Sequence, residues 1–305
     1  MRMPPSNPHF AVFIGIIAVS TSAILVKLAA GAPASIIANY RLLFAVLIMS
    51  PIILLYYRKE FKLISRKDWM MVTFGGIFLA FHFILWFESL NYTSVASSVV
   101  LVSLMPIFAF LGTYFFFHER FTPGAVISMI IALFGSIIIS WGDFQISGIA
   151  LLGDVLAILG AIMVTAYFLV GQNTRRRLSL MTYTFVVYGV STITLFIYNI
   201  LLGYSFVGYP ADYWWVFLAL AIVPTFLGHT MFNWALRWVS TSTISMAIVL
   251  EPIGATTLAY FILGEKVTGL QWLGGAIVLF GLFLFIMSTT KKRRVTISYK
   301  NKGNT

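Results

Sequence analysis

A carboxylate, two imidazoles and two cations stand inside stretches of sequence that are otherwise apolar. Glu251 lies near the centre of the run 240–263 and is followed by Pro252. An ionised carboxylate at the middle of a bilayer costs roughly 2.5–3.5 kcal/mol or more. It must therefore face a cavity, pair, or stay protonated. It could ligate a solute or carry a coupling proton; a protonated Glu251 bonded to a neighbouring helix is the purely structural alternative. His82 and Trp86 are spaced i, i+4 and share a helix face, and Thr225, His229 and Asn233 repeat that spacing. Histidine can titrate between about pH 5 and 8. Two such stripes facing each other would line a central pocket, although hydrogen bonding between helices would use the same residues. Lys27, Arg41 and Glu88 lie toward the ends of their runs. Glu88 could pair with Lys27 or Arg41, as an outer gate or as a structural ion pair. Arg41 alone reads most simply as a snorkelling or pairing residue.

Other chemistries lack their residues. Cys is absent, which removes thiol nucleophiles and Cys-ligated metals. There is no His-x-x-x-His or His-Glu-x-x-His pair, no Gly-x-Ser-x-Gly elbow and no phosphate-binding Gly-Lys-Ser/Thr loop. No metal or cofactor is expected, and no enzyme. A membrane-embedded enzyme built on His82, His229 and Glu251, or a membrane sensor or receptor, are the readings that compete with transport.

The elements that must position these groups follow from composition. The 305 residues are 60% hydrophobic and 10% charged. Soluble domains carry about 25% charged residues. So much apolar surface requires lipid as its solvent, and a spanning helix needs about 20 apolar residues. Ten such spans fit, at about 10–30, 34–56, 69–90, 93–117, 121–141, 148–171, 180–203, 213–236, 240–263 and 268–289. The stretch from Phe10 to Ala30 exceeds the apolar core of a cleavable signal peptide. The net charge of +11 would suggest nucleic acid in a soluble chain, but the basic residues sit in short loops and a tail. With both termini in the cytoplasm, 17 of the 20 Lys and Arg fall inside, only Lys266 falls outside, and Lys27 and Arg41 lie within spans. That asymmetry satisfies the positive-inside rule. The expected setting is a cell membrane, of the bacterial cytoplasmic type. Residues 290–305 form a basic cytoplasmic tail without apolar pattern, expected to be disordered against anionic headgroups.

The chain also repeats. At an offset of 146, Leu90–Gly135 aligns with Leu236–Gly281 without a gap, and 14 of the 46 positions are identical, among them Pro106/Pro252, Tyr114/Tyr260, Glu119/Glu265 and Thr122/Thr268. Residues 1–143 and 144–289 are thus two copies of a five-helix unit. An odd number of spans inverts the second copy, the plan of many secondary transporters. The copies differ in chemistry: Glu251 aligns with Met105 and Lys27 with Asn173.

The segments Ser89-Leu90-Asn91-Tyr92-Thr93-Ser94, Pro106 and His118-Glu119-Arg120-Phe121-Thr122, with Glu251-Pro252, Gly153-Asp154-Val155 and Leu263-Gly264-Glu265-Lys266 in the second copy, resemble the drug/metabolite transporter superfamily, specifically its ten-helix EamA-type exporters. His118 departs from the Gly more usual before that Glu. The resemblance implies an all-α membrane protein of two inverted five-helix repeats that exports a small organic solute such as an amino acid, metabolite or drug-like compound. Proton coupling and homo-oligomerisation stay open, and nucleic acid is not an expected partner. Glu119 and Glu265, each followed three residues on by a Thr placed to cap a helix, read as surface hairpin residues; Asp154 reads as an acidic residue suiting a helix N-terminus.

Overall fold

The computed structural model describes residues 7–93, 95–141, 148–264 and 267–302, all helix and connecting loop. The helices are α1 (Pro8–Ser20), α2 (Ser22–Leu28), α3 (Ala34–Ile52), α4 (Arg66–Tyr92), α5 (Val95–Val102), α6 (Met105–Phe117), α7 (Pro123–Ser140), α8 (Gly148–Thr174), α9 (Leu180–Leu201), α10 (Ala211–Leu220), α11 (Thr230–Ala235), α12 (Thr241–Ile248), α13 (Glu251–Leu263) and α14 (Gly269–Lys302). A π-helical segment, Ala221–His229, joins α10 to α11 around Pro224. Among the described residues, nine helical stretches are long and apolar enough to cross a membrane, and Pro123–Ile139 is a shorter apolar helix. The basic segment from Lys291 continues α14 as helix to Lys302, where irregular chain was expected.

Several helix ends are set by residues legible in the sequence. Thr122 accepts from the Ala125 amide at 3.1 Å with Pro123 in the first turn. Thr268 and Gln271 form the reciprocal capping box, Thr268 N to Gln271 Oε1 at 2.8 Å and Gln271 N to Thr268 Oγ1 at 3.3 Å. His118 ends α6 in the left-handed conformation, φ 53°, and its repeat mate Gly264 has φ 70°. The departure from Gly at 118 thus falls where an L side chain is disfavoured.

The 146-residue offset aligns elements as well as residues. Val95–Val102 maps onto Thr241–Ile248, and Met105–Phe117 onto Glu251–Leu263, so both fourth helices of the repeats are broken at the same place. Pro106 and Pro252 sit just past each break, where the ring removes a donor from the helix ladder. Packing is reciprocal too. α4 lies along α8, as α1 lies along Ala221–Ala235; the mates α3 and α9, and α7 and α14, meet across the repeats, and α6 packs on α12 as its mate α13 packs on α5. α7 and α14 approach closely: a Cβ on Gly135 would stand 2.7 Å from the Val278 nitrogen, and one on Gly281 2.7 Å from the Ala132 nitrogen.

At the end of the bundle bearing the basic loops, carboxylates tie the repeats together. Glu60 accepts from the Ser179 amide at 2.8 Å and from the hydroxyls of Ser179 and Thr182 at 2.5 and 2.7 Å. Partial burial works to raise its pKa, but these bonds and the Arg175 charge hold it below the usual carboxylate value. Asp68 takes Arg177 at 2.5 Å. Glu119 is not a free surface group: it accepts from Ser240 at 3.2 Å and Ser242 at 3.0 Å at the start of α12. Glu265 lies outside the described residues. Asp154 is six residues past the first residue of α8 and buried, with Oδ1 lacking a hydrogen-bond partner, so it is not the N-terminal charge that was expected.

Candidate functional site

The two helix breaks open onto one small cavity. Val102 and Met105 flank the first break and Ile248 and Glu251 the second, and all four line it. His82, Trp86, His229, Phe232, Ser22 and Phe168 complete most of the wall. The lining residues are largely repeat mates: Val102 with Ile248, Met105 with Glu251, Ser22 with Phe168, Trp86 with Phe232, and His82 one position from the mate of His229. The cavity therefore sits where the two copies meet. Its positions are paired, but its chemistry is not, since Glu251 and Ser22 stand opposite Met and Phe.

The two expected polar stripes do converge. The His82 and His229 rings are 6.3 Å apart between centroids. His82 stacks on Trp86 at 5.6 Å and 18°, and its Nδ1 is 2.9 Å from the Gly160 carbonyl, which as an acceptor draws the Nδ1 proton. His229 packs among Phe83, Phe168 and Phe232, and its Nδ1 has no partner. The Trp86 indole N–H is also unpartnered. Asn233, one turn on, donates to the His229 carbonyl at 2.7 Å and to the Tyr167 hydroxyl.

Arg41 does not snorkel. It is fully buried, with Nε donating to Thr225 at 2.7 Å, Nη1 to Ser22 at 3.0 Å, and the guanidinium 4.3 Å over the Phe83 ring. Nη2 has no partner. Glu251 is 6% exposed and lies within electrostatic reach of Arg41. A guanidinium needs a planar set of acceptors. Here the π-helical turn supplies one, because Thr225 turns toward α3 while its own hydroxyl back-bonds to Leu220 at 2.8 Å. Arg41 is thus the neighbour of the cavity, reaching it through Ser22.

Lys27 and Glu88 lie away from the cavity. Lys27 Nζ donates to the Leu90 carbonyl at 2.5 Å, and Glu88 accepts from Tyr92 at 3.1 Å and Asn91 at 3.3 Å. The Glu88–Arg41 pairing is not formed; Arg41 binds hydroxyls instead. Sequence reasoning missed Ser22, Phe168, Tyr167 and Tyr188, the last bonded to Thr230 at 2.9 Å. It also missed Arg175. Counted as a loop charge, Arg175 is 2% exposed and donates to the carbonyls of Asn233 at 3.0 Å and Leu178 at 2.5 Å. Among the described residues no three His, Cys, Asp or Glu side chains gather as metal ligands would.

Residues 7–141 and 151–287 each match the EamA-like transporter family. The chain belongs to that family. The transporter YxxF of Bacillus subtilis (strain 168), described as uncharacterized, is 28% identical over 238 residues, covering 76% of this chain and 74% of that one. The similarly described YdfC of the same organism is 24% identical over 263 residues, 84% of each. An archaeal relative from Archaeoglobus fulgidus, also described as an uncharacterized transporter, is 21% identical over 192 residues, 63% of this chain and 67% of that one. A solved crystal structure shares the fold with a TM-score of 0.77 at 16% identity, covering 93% of this chain and 98% of that one. This EamA-family chain is a multi-pass membrane transporter that matches the family model twice.

Proposed function

We propose that this protein is a secondary transporter that exports a small organic solute by alternating access around the Glu251/His82/His229 cavity. In this reading it has ten spans, α7 being the tenth, arranged as two inverted repeats with both ends in the cytoplasm.

The observation that carries the reading is the meeting of both helix breaks at one small cavity whose mostly apolar wall carries Glu251, Ser22 and two histidines. Breaks at midplane free backbone groups and allow a helix to bend. The cavity measures about 30 Å³. Pockets that hold drug-sized ligands run to roughly 300–1,000 Å³. A solute enters only if the repeats part, and reciprocal packing lets them part on either side by equivalent motions. Unpartnered nitrogens on Trp86 and His229, with Arg41 behind Ser22, supply polar groups a solute would engage. Glu251 is the candidate for proton coupling, with Asn233 and Arg41 as further candidates for solute contact. Lys27 and Glu88, away from the cavity, are candidates for an outer gate.

The test is flux in proteoliposomes with a panel of labelled amino acids, nucleobases and cationic drugs, with and without a pH gradient. Saturable flux of one class supports the reading, and Glu251→Gln is expected to abolish pH-driven flux while exchange persists. No flux of any panel member in either condition counts against it.

A further inference from the structure

A second site lies on the membrane-facing surface. Between α1, α12 and α14 runs a groove of about 650 Å³. Its floor is apolar, formed by Val12, Ile16, Ala247, Leu250 and Phe285, with Phe13 and Ile286 rising more than half exposed on its flanks. Its mouth is of a different material: His9, Trp238, Ser240, Thr243 and Thr289. Arg237 is exposed beside that mouth, with its guanidinium 5.9 Å over the Trp238 ring. Two residues beyond Thr289, the same helix α14 carries Lys291, Lys292, Arg293 and Arg294 in succession. The acidic group at the mouth, Glu119, is engaged by the hydroxyls of Ser240 and Ser242.

We propose that this groove binds one anionic phospholipid, with an acyl chain on the floor between Ile16 and Phe285 and the phosphate at the mouth beside Arg237. The two materials of the groove are stacked in the order of a lipid, apolar along the span and cationic at its end. A tryptophan at the boundary suits the headgroup level. A second copy of the chain is a poor occupant, since two such mouths would bring basic clusters together. Zwitterionic lipid satisfies the floor but gains nothing from the charges, whereas each nearby basic residue adds about 1 kcal/mol, or about fivefold, for an anionic headgroup. The inner end of the groove touches Leu250, the residue just before Glu251, so the lipid presses on the outer face of the helix break whose inner face lines the central cavity.

The experiment is tryptophan quenching of the full-length protein in phosphatidylcholine nanodiscs, titrated with brominated phosphatidylglycerol or with brominated phosphatidylcholine. The expected result is a saturable component at least about fivefold in favour of phosphatidylglycerol. That component should disappear in Trp238→Phe and lose about fivefold preference in Arg237→Gln, which changes only an exposed side chain. Equal quenching by the two lipids overturns the proposal. So does selectivity unchanged in both variants, which places the lipid elsewhere, and so does an unquenched Trp238 in discs that hold two chains.

Discussion

Arg41 donates through Nε to the hydroxyl of Thr225 at 2.7 Å, joining the second helix of one repeat to the π-helical turn of the other. A wholly buried guanidinium is held by hydroxyls and the face of Phe83, with no carboxylate among the described residues paired to it. Such a charge is costly unless its donors are met. The arrangement makes Arg41 a cross-repeat strut as well as a source of positive potential at the Glu251 cavity.

Arg41→Lys should therefore fold but work poorly. An ammonium cannot reach Thr225 and Ser22 in the guanidinium geometry. We expect transport to fall at least about tenfold, equivalent to about 1.4 kcal/mol. Arg41→Ala, which also strands Thr225 and opens space against Phe83, should cost about 2–4 kcal/mol of stability. Initial flux in proteoliposomes and thermal unfolding in detergent measure the two effects.

The contact of α7 with α14 should tolerate no added bulk. Gly135→Val places atoms against the backbone of Gly274 and Val278, and neither can yield without separating the helices. We expect a loss of about 1–3 kcal/mol from overpacking, seen as a lowered Tm, with Gly281→Val behaving alike because the two positions are repeat mates.

At the opposite extreme, His118→Gly should stabilise. His118 holds a left-handed conformation that its mate achieves with glycine. Relief of that strain is worth about 1 kcal/mol. A raised Tm with unchanged transport is the expected outcome.

The Glu60 tether gives a pH dependence. Its folded pKa is held below the ordinary carboxylate value, so its contribution is fully present above the unfolded pKa of 4.5 and is lost as pH falls through the lower folded value. Glu60→Gln should reduce the acid sensitivity of unfolding below about pH 4.5 and leave stability near neutrality lower but less dependent on pH.

Much of this was legible because bilayer physics writes periodic patterns. The helical runs were visible as apolar length, and the facing of His82 and His229 followed from i, i+4 spacing and the repeat offset. The unmatched Glu251/Met105 pair likewise marked the cavity. What escaped notice had no periodic signal. Ser22 is a lone hydroxyl in an apolar helix. Arg175 sits in a basic triplet that topology explains by itself, so its burial against Asn233 left no trace. The helix breaks were read through as continuous spans, although Pro106 and Pro252 were in view, because proline inside an apolar span is tolerated in membrane helices. Arg41 looked like a snorkelling residue because sequence cannot show that a π-helical turn would bring Thr225 to it.

The central claim is that one cavity opens alternately to the two sides. The chain contains no Cys, so a single Val102→Cys or Ile248→Cys provides a unique label at mated positions on the two breaks. The measurement is labelling by a membrane-impermeant maleimide in right-side-out and inside-out vesicles. Alternating access predicts that each single cysteine is labelled from both faces, and that locking one face open with a conformation-specific binder protects it from the other. Labelling from one face only, or from neither, would contradict the account.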